Sequence, residues 1–467
     1  MKKIFTLIVL MAFSLTVLSQ NGLKYQKPPR EIVDIMTASP IPGVSISPDK
    51  NIVALTHRTG MPTIEDMSKE MLRLGGLRID PSTNGRSNPS YSVGLEFKTI
   101  DGTEMNSLKG LPEKLKLQSF SWSNDSKLFA FLNLTAGSIE LWVGDIASMT
   151  VKKVDDNLNG LTGGISWLPD NSIVYQVVDP DRGKRPMPSS VPEGPVVQEN
   201  LGKKGAARTY QDLLKNPEDE KIFEYFTTSV IKRWSKGATT QIGDKGLYRS
   251  VSFSPDASYI LVEKVLKPFS YIVPYYYFPS VVEIWDSKGT RVRTIAELPL
   301  KENMPVFAKD MTFPDPTGFR WRSDMAASLY WIKPLDGGDM NKEMEYRDQL
   351  YMLDAPFKGE PVEYAKTKMR FGGISWANDD FAIISERSRK ERLTRQYSFN
   401  PEDPGAGLKL IFEINGDDRY ANPGRFVTTV NEYGRRVLLF GNKGKSLYLS
   451  GQGPSPEGDR PFVDEYK

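Results

Sequence analysis

Serine and histidine are the residues that could perform nucleophilic catalysis in this sequence, and their spacing argues against it. A nucleophilic serine on a strand-to-helix elbow needs a glycine two residues before it and another two residues after it, because the turn is too sharp for larger side chains. No serine has both; Gly453-Pro-Ser455-Pro-Glu457 comes nearest. The chain has one histidine, His57, and no cysteine. We therefore predict no catalytic residue in this chain.

The sequence also predicts no metal or cofactor site. The acidic pairs Asp155-Asp156, Asp379-Asp380 and Asp417-Asp418 carry oxygen ligands that suit calcium, but they fall at turns, where aspartate is favoured anyway. One histidine and no cysteine argue against zinc. Gly441-Asn-Lys-Gly-Lys-Ser446 lacks two residues of the phosphate-loop spacing, which favours a hairpin turn there.

Two groups of side chains are candidates for binding a partner. The first is the Pro-bounded segment Lys267-Pro-Phe-Ser-Tyr-Ile-Val-Pro-Tyr-Tyr-Tyr-Phe-Pro279, whose tyrosines are Tyr271, Tyr275, Tyr276 and Tyr277. Rigid aromatic rings with polar tips suit peptide recognition. The alternative is that these rings pack a long hairpin against its neighbour.

The second group is a set of arginines, because the guanidinium group binds carboxylates through paired hydrogen bonds. We select Arg320, Arg322 and Arg370, and the region also contains Arg387, Arg389, Arg392 and Arg395. An arginine set that lines a ring would attract acidic side chains of a peptide. The alternative is a solvated strand face.

Composition narrows the class of protein. The chain has 467 residues, a formal net charge of +3 and 39% hydrophobic residues. Such a balanced charge argues against nucleic acid or an anionic membrane as a partner. Residues 1–20 have the charged start and short apolar stretch of a signal peptide, which predicts export to a periplasm or to the extracellular space. Residues 21–43 are Pro-rich and are predicted to form an N-terminal arm.

The elements that must position these side chains are copies of one strand–turn–strand module. In Val251-Ser-Phe-Ser-Pro-Asp256, apolar residues alternate along a strand before a Ser-Pro-Asp turn, and an apolar strand then returns at Tyr259-Ile-Leu-Val262. The other copies are Val44-Ser-Ile-Ser-Pro-Asp49, Phe120-Ser-Trp-Ser-Asn-Asp125, Ile165-Ser-Trp-Leu-Pro-Asp170, Phe319-Arg-Trp-Arg-Ser-Asp324 and Ile374-Ser-Trp-Ala-Asn-Asp379.

The recurrence predicts an all-β fold, a β-propeller of antiparallel blades over residues 44–467 with loop and short-helix insertions. The shortest separation between copies, Asp125 to Asp170, is that of one four-stranded blade. Residues 61–76 have helical spacing, and residues 209–226 predict two short helices. The last residues begin a further strand and stop at Lys467, so the ring is predicted to be incomplete.

Motifs spread along the whole chain resemble the propeller part of secreted serine peptidases of the prolyl oligopeptidase family, in the glutamyl endopeptidase-like branch. They are Tyr25-Gln-Lys-Pro-Pro29, Leu72-Arg-Leu-Gly-Gly-Leu-Arg78, Asn84-Gly85, Gly194-Pro-Val-Val-Gln-Glu-Asn200, Ala207-Arg-Thr-Tyr-Gln-Asp-Leu-Leu-Lys-Asn-Pro217, Pro268-Phe-Ser-Tyr-Ile-Val-Pro-Tyr-Tyr276, Leu335-Asp-Gly-Gly-Asp339, Tyr346-Arg-Asp348 and Ser455-Pro-Glu-Gly-Asp-Arg460.

The resemblance implies a function for the chain. Members of the family pair the propeller with a C-terminal α/β-hydrolase domain that carries a Ser-Asp-His triad, and the propeller restricts access to peptides and loosely folded proteins. The branch name implies cleavage after glutamate, although Tyr277 stands where the family favours arginine. We expect a substrate-gating propeller that is not catalytic alone, since the sequence ends before any hydrolase domain. The alternative is a stand-alone secreted propeller that binds a peptide or another ligand.

Overall fold

The strand–turn–strand modules are present in the structure, a computed structural model that describes residues 28–187, 209–302 and 309–467. In the module at Ser254, the serine hydroxyl donates to Oδ1 of Asp256 at 2.6 Å and accepts the Tyr259 amide at 3.0 Å. Ser47 and Ser123 make the same pair of bonds in their modules. Because these three turns are held by their own side chains, the fold there is determined by local sequence.

Each module begins a blade of antiparallel strands. Blade 1 has β1 (Gly43–Ile46) and β2 (Ile52–Arg58), an insertion of β3 (Leu72–Leu74), β4 (Leu77–Asp80) and β5 (Gly85–Arg86), and then β6 (Ser92–Thr99). Blade 2 has β7 (Leu117–Trp122), β8 (Leu128–Leu134), β9 (Ile139–Asp145) and β10 (Thr150–Asp155). Blade 3 has β11 (Ile165–Trp167), β12 (Ile173–Val178), β13 (Ser229–Ser235) and β14 (Ala238–Gly246).

The next three blades repeat this order. Blade 4 has β15 (Tyr248–Phe253), β16 (Tyr259–Val265), β17 (Ser280–Asp286) and β18 (Arg291–Leu298). Blade 5 has β19 (Thr317–Trp321), β20 (Ser328–Pro334), β21 (Asp348–Asp354) and β22 (Val362–Thr367). Blade 6 has β23 (Arg370–Asn378), β24 (Phe381–Ser388), β25 (Leu393–Phe399) and β26 (Lys409–Asn415).

The hydrophobic core lies between successive blades, which is the arrangement of a β-propeller. Phe97 of blade 1 packs with Phe129 of blade 2, and Leu141 of blade 2 packs with Tyr175 of blade 3. Separate clusters join blades 3 and 4, blades 4 and 5, and blades 5 and 6. Blades 2 to 5 therefore bury both faces of their sheets against their neighbours. The all-β propeller prediction is confirmed.

The first strands of successive blades run side by side in one direction. Trp122 and Trp167, at the ends of their strands, donate through Nε1 to Ser45 and Ser121 near the ends of the preceding first strands, both at 3.1 Å. Trp321 donates to the Ser252 carbonyl in the same way. All first strands therefore begin at one end of the ring, which we call the mouth, and reach their turns at the other, the turn end.

The C-terminal residues form a further sheet and two separate hairpins. The strands are β27 (Arg425–Phe426), β28 (Thr428–Val430), β29 (Arg436–Leu438), β30 (Phe440–Gly441), β31 (Ser446–Gly451), β32 (Pro454–Ser455), β33 (Gly458–Asp459) and β34 (Phe462–Tyr466). The hairpin β28–β29 is a strand–turn–strand unit that our sequence analysis missed. In the described residues, no strand pairing and no buried cluster joins this sheet to blade 1.

The turn of this hairpin lies over the turn end of the ring. Nδ2 of Asn431 donates to the Ser323 carbonyl of blade 5 at 2.8 Å, and Nη2 of Arg435 donates to the Phe253 carbonyl of blade 4 at 2.9 Å. Gly434 lies against Asn124 of blade 2. Contacts with blades 2, 4 and 5 place this turn, residues 431–435, across the axis of the ring. We call it the plug turn.

The helices are α1 (Arg30–Thr37), α2 (Ile64–Met67) and α3 (Pro217–Thr227). The helical prediction for residues 61–76 is wrong beyond α2, because Gly75 and Gly76, both at positive φ, turn the chain between β3 and β4. Of the two helices predicted in residues 209–226, the second is α3 and the first is absent. The predicted signal peptide, residues 1–20, lies outside the described residues.

Candidate functional site

Two adjoining cavities open at the mouth on the arc formed by blades 4, 5 and 6. One lies between blades 4 and 5 and has a volume of about 410 Å³. The other lies between blades 5 and 6 and has a volume of about 430 Å³. They share Thr317 and Gly318 at the start of β19 and Arg320 near its end. We call the two together the arginine cleft.

Three arginines give the cleft its charge. Arg320 belongs to both cavities, while Arg387 and Arg389, at the end of β24 and just beyond it, line the cavity between blades 5 and 6. All three side chains are exposed, and none has a carboxylate within salt-bridge distance among the described residues. Burial raises the pKa of the neighbouring Tyr330 hydroxyl, and the Arg320 charge partly opposes that shift.

The carboxylates near these arginines are already engaged. Asp310 accepts the backbone amides of Arg389 and Lys390 at 2.9 and 3.1 Å. Asp348 is buried and pairs with Arg370, with its Oδ1 2.8 Å from Nη1. The three guanidinium groups of the cleft therefore form no ion pair with a carboxylate among the described residues.

A half-buried lysine adds to this charge between blades 4 and 5. Nζ of Lys301 lies 3.8 Å from Oδ2 of Asp315 and 5.1 Å from the centroid of the Phe313 ring. Burial lowers the Lys301 pKa, and the Asp315 charge opposes this only in part. Our sequence analysis did not select Lys301, because a single lysine in a loop carries no local signal of burial.

The structure brings two of the predicted tyrosines to Arg320 and places the other two elsewhere. Tyr276 and Tyr277 line the cavity between blades 4 and 5, in a short 3₁₀ turn at Tyr275–Tyr277. The Tyr277 ring centroid lies 5.5 Å from that of Phe313. Of the residues selected from the sequence, therefore, Tyr276, Tyr277 and Arg320 share one cavity.

Tyr271 and Tyr275 fit the packing alternative. The hydroxyl of Tyr271 donates to Oε1 of Glu220 on α3 at 2.6 Å, and its ring lines a separate cavity of about 760 Å³ beside Asp212. Tyr275 packs on Phe223 of the same helix. These two rings join the aromatic segment to the core under the insertion.

The other two arginines that we selected use their donors within the fold. Arg322 lies at the turn end, pairs with both oxygens of Asp324 at 3.1 and 2.6 Å, and stacks on Trp376. Arg370 lines the cavity between blades 5 and 6, but it is buried and its guanidinium donates to the side chains of Asp336 and Asp348. Neither guanidinium is open to a ligand in this structure.

In the described ranges, the single histidine has no serine partner. His57 lies on β2 with Nε2 3.3 Å from Oε1 of Glu96, and no serine hydroxyl in the described ranges bonds to it. Those ranges also contain no group of three or more His, Asp or Glu side chains placed to hold a metal ion. None of the helices described is long and apolar enough to cross a membrane.

Comparison with known proteins identifies relatives. The chain is 32% identical over 468 residues to a probable chloroplastic glutamyl endopeptidase of Oryza sativa subsp. japonica, covering 96% of this chain and 50% of that protein. It is 32% identical over 464 residues to the protein of the same name from Arabidopsis thaliana, covering 95% and 48%. The chain thus spans about half the length of these curated relatives. No family model matches it.

Solved structures give weaker likenesses. A chain from a study of two prolyl endopeptidases is 12% identical, with a TM-score of 0.46, covering 94% of this chain and 52% of that one. The β-propeller domain of the trilobed protease from Pyrococcus furiosus is 14% identical, with a TM-score of 0.32, covering 80% and 83%. Assignment therefore rests on the sequence relatives and on the blades. By these relationships the chain is a β-propeller whose sequence is similar, over nearly its whole length, to about half of the two glutamyl endopeptidases.

Proposed function

We propose that this chain is the substrate-gating propeller of a secreted serine peptidase and that its arginine cleft holds an acidic side chain of the peptide. The observation that carries the proposal is the position of Arg320, shared by two cavities at the mouth and joined by Arg387 and Arg389. Guanidinium groups without a protein carboxylate bind a carboxylate of the ligand through charge-assisted hydrogen bonds. The relatives' name, glutamyl endopeptidase, agrees with an acidic substrate.

Gating follows from the two ends of the ring. The plug turn lies across the axis at the turn end, through Asn431 and Arg435. The cationic cavities lie at the mouth. A peptide therefore reaches the arginine cleft from the mouth.

A peptide-binding measurement tests the proposal. A fluorescein-labelled peptide containing glutamate should bind the purified chain, and the same peptide with glutamine should bind more weakly. Arg320→Gln should weaken binding roughly 10- to 100-fold, the equivalent of one charge-assisted interaction of about 1.5–3 kcal/mol. Arg419→Gln is the matched control, since Arg419 is exposed, unpaired among the described residues and outside both cavities. Equal affinity for both peptides would refute the acidic cleft.

A second measurement separates gating from catalysis. The chain contains no Gly-x-Ser-x-Gly sequence, so the purified 467-residue protein should bind glutamyl peptides without cleaving them. Cleavage by that protein would contradict the proposal if inhibitors of contaminating peptidases do not abolish it.

One observation favours a second candidate, a stand-alone secreted propeller that binds a peptide. Tyr276, Tyr277 and Arg320 form one cavity from residues of this chain alone, so binding needs no further domain. Export is proposed for both candidates from the signal-type segment at residues 1–20. N-terminal sequencing of the mature protein, and its recovery in the exported fraction, would test this; an intact Met1 in the cytoplasmic fraction would oppose it.

A further inference from the structure

Another cavity opens at the mouth on the arc opposite the arginine cleft, between blades 1 and 2. Its volume is about 610 Å³. The start of β7 contributes Leu117 and Gln118, and the end of β2 contributes Arg58. Arg86 of the inserted strand β5 also lines the cavity. We call it the blade 1–2 cavity.

The charge of this cavity is positive and unbalanced. Arg58 and Arg86 are exposed, and neither has a carboxylate within salt-bridge distance in the part of the chain that the structure describes. None of its described lining residues is acidic. Asp66 is nearby, but it accepts a hydrogen bond from the Tyr91 hydroxyl at 2.6 Å. It also forms an ion pair with Lys116, whose Nζ lies 2.8 Å from Oδ1 of Asp66.

The floor of the cavity is apolar. Leu132, Leu134 and Ile139 of blade 2 line it and are buried, while serine hydroxyls such as Ser90 and Ser119 lie at its walls. Apolar surface below two unpaired guanidinium groups suits a ligand with a carboxylate on an aliphatic stem. A glutamate side chain with an apolar neighbour in a peptide has this chemistry.

The blade 1–2 cavity and the arginine cleft open at the same end of the ring. The first is built at the start of β7 and the second at the starts of β19 and β23. Because the first strands run in one direction, both open at the mouth, on opposite arcs. One extended peptide that crosses the mouth can therefore reach both.

We propose that the blade 1–2 cavity is a second carboxylate-binding subsite, so that the propeller selects peptides with two separated acidic residues. This inference rests on the proposed function, in which the arginine cleft holds the first acidic residue. Linking two carboxylates in one peptide makes the second binding event intramolecular, which increases affinity without any new contact.

Binding stoichiometry tests the inference directly. Isothermal titration of the full chain with N-acetyl-Leu-Glu-Glu-Leu-amide should give two sites per chain. The double variant Arg58→Gln/Arg86→Gln should retain one site, and Arg320→Gln/Arg387→Gln should also retain one. Arg419→Gln should keep two. All these arginines are exposed, so the variants should fold, which thermal unfolding of each protein verifies.

Peptides with two Glu-Glu clusters joined by Gly-Ser spacers of increasing length provide a second readout. One spacer length should bind roughly 10- to 100-fold more tightly than the single-cluster peptide, since effective concentration peaks when the linker matches the span. Arg58→Gln/Arg86→Gln should abolish that gain.

Two negative results have different meanings. The first is a stoichiometry of one site per chain that is lost in Arg320→Gln/Arg387→Gln and unaffected by Arg58→Gln/Arg86→Gln. It would overturn the second subsite and leave the proposed function standing. No binding of either acidic peptide would overturn both.

Discussion

Arg370 and Asp336 form a buried ion pair in which Nη2 lies 2.7 Å from Oδ2. Nη1 of the same guanidinium lies 2.8 Å from Oδ1 of Asp348, and Nε donates to the Asp310 carbonyl at 2.8 Å. Burial raises the pKa of Asp348, and the Phe371 amide and the Arg370 charge counter this only in part. Arg370 thus ties blade 6 to the acidic residues of blade 5.

We expect Arg370→Met to lower the free energy of unfolding by about 3–5 kcal/mol, because it leaves the buried Asp348 without its cation and leaves Asp336 with Arg347 alone. Urea denaturation followed by circular dichroism measures the loss. Arg387→Gln, on the same sheet but exposed, should stay within about 0.5 kcal/mol of the original chain. A stable Arg370→Met protein with weakened peptide binding would instead assign Arg370 to the binding site.

The sequence could not distinguish Arg370 from Arg320. Arg370 begins the first strand β23 and Arg320 lies near the end of the first strand β19, but the partners of Arg370 come from the loop at Asp336 and from β21. Those partners are distant in sequence. Only the packing of blade 5 against blade 6 therefore shows that the Arg370 guanidinium is bonded within the fold and that the Arg320 side chain is exposed. Residue type predicted the candidates, and long-range contacts decided among them.

The blades themselves were predictable because their signals are local. The Ser254–Asp256 turn is closed by hydrogen bonds within five residues, and the alternating strands flank it. The insertion was not, since Ile64, Met67, Met71 and Leu74 fit a helical spacing. The Gly75–Gly76 turn at positive φ was the available signal.

Lys301→Met should raise stability while weakening peptide binding. Burial disfavours the charged amine, and Asp315 at 3.8 Å compensates only partly. We expect a gain of roughly 0.5–2 kcal/mol in urea denaturation at neutral pH. Because the folded pKa is lowered, the unfolded chain binds the proton more readily. The gain should therefore be complete below the folded pKa and vanish as pH rises to the ordinary value of 10.5.

Lys288→Met is the matched control for Lys301, because Lys288 lies in the Asp286 turn of blade 4 and lines neither cavity of the arginine cleft. It should change neither stability nor affinity for the glutamate peptide. A Lys301→Met protein that is less stable at neutral pH would show that Asp315 compensates the buried charge fully.

Asp66→Asn should destabilise the protein in a pH-dependent manner. Burial alone would raise the Asp66 pKa, but bonds from Lys116, Tyr91 and Thr63 outweigh it and hold that pKa well below the ordinary 3.8. The stabilisation is therefore present above pH 3.8 and lost as pH falls through the folded pKa. Denaturation at pH 7 and at pH 3 should show a large difference between the two proteins at pH 7 and a smaller one at pH 3. A constant difference would mean that the carboxylate charge is not the cause.

The plug turn can be tested by cross-linking, since the chain has no cysteine. A Cβ atom on residue 434 would lie 2.7 Å from Oδ1 of Asn124, so Asn124→Cys/Gly434→Cys should form a disulfide on mild oxidation, detected by gel mobility without reductant. Asn124→Cys/Gly458→Cys is the control, because Gly458 is also at positive φ and has open space around it. The cross-linked chain should keep its affinity for the glutamate peptide, since binding occurs at the mouth. Equal oxidation rates for the two pairs would place the plug turn away from blade 2, and lost affinity would place the peptide at the turn end.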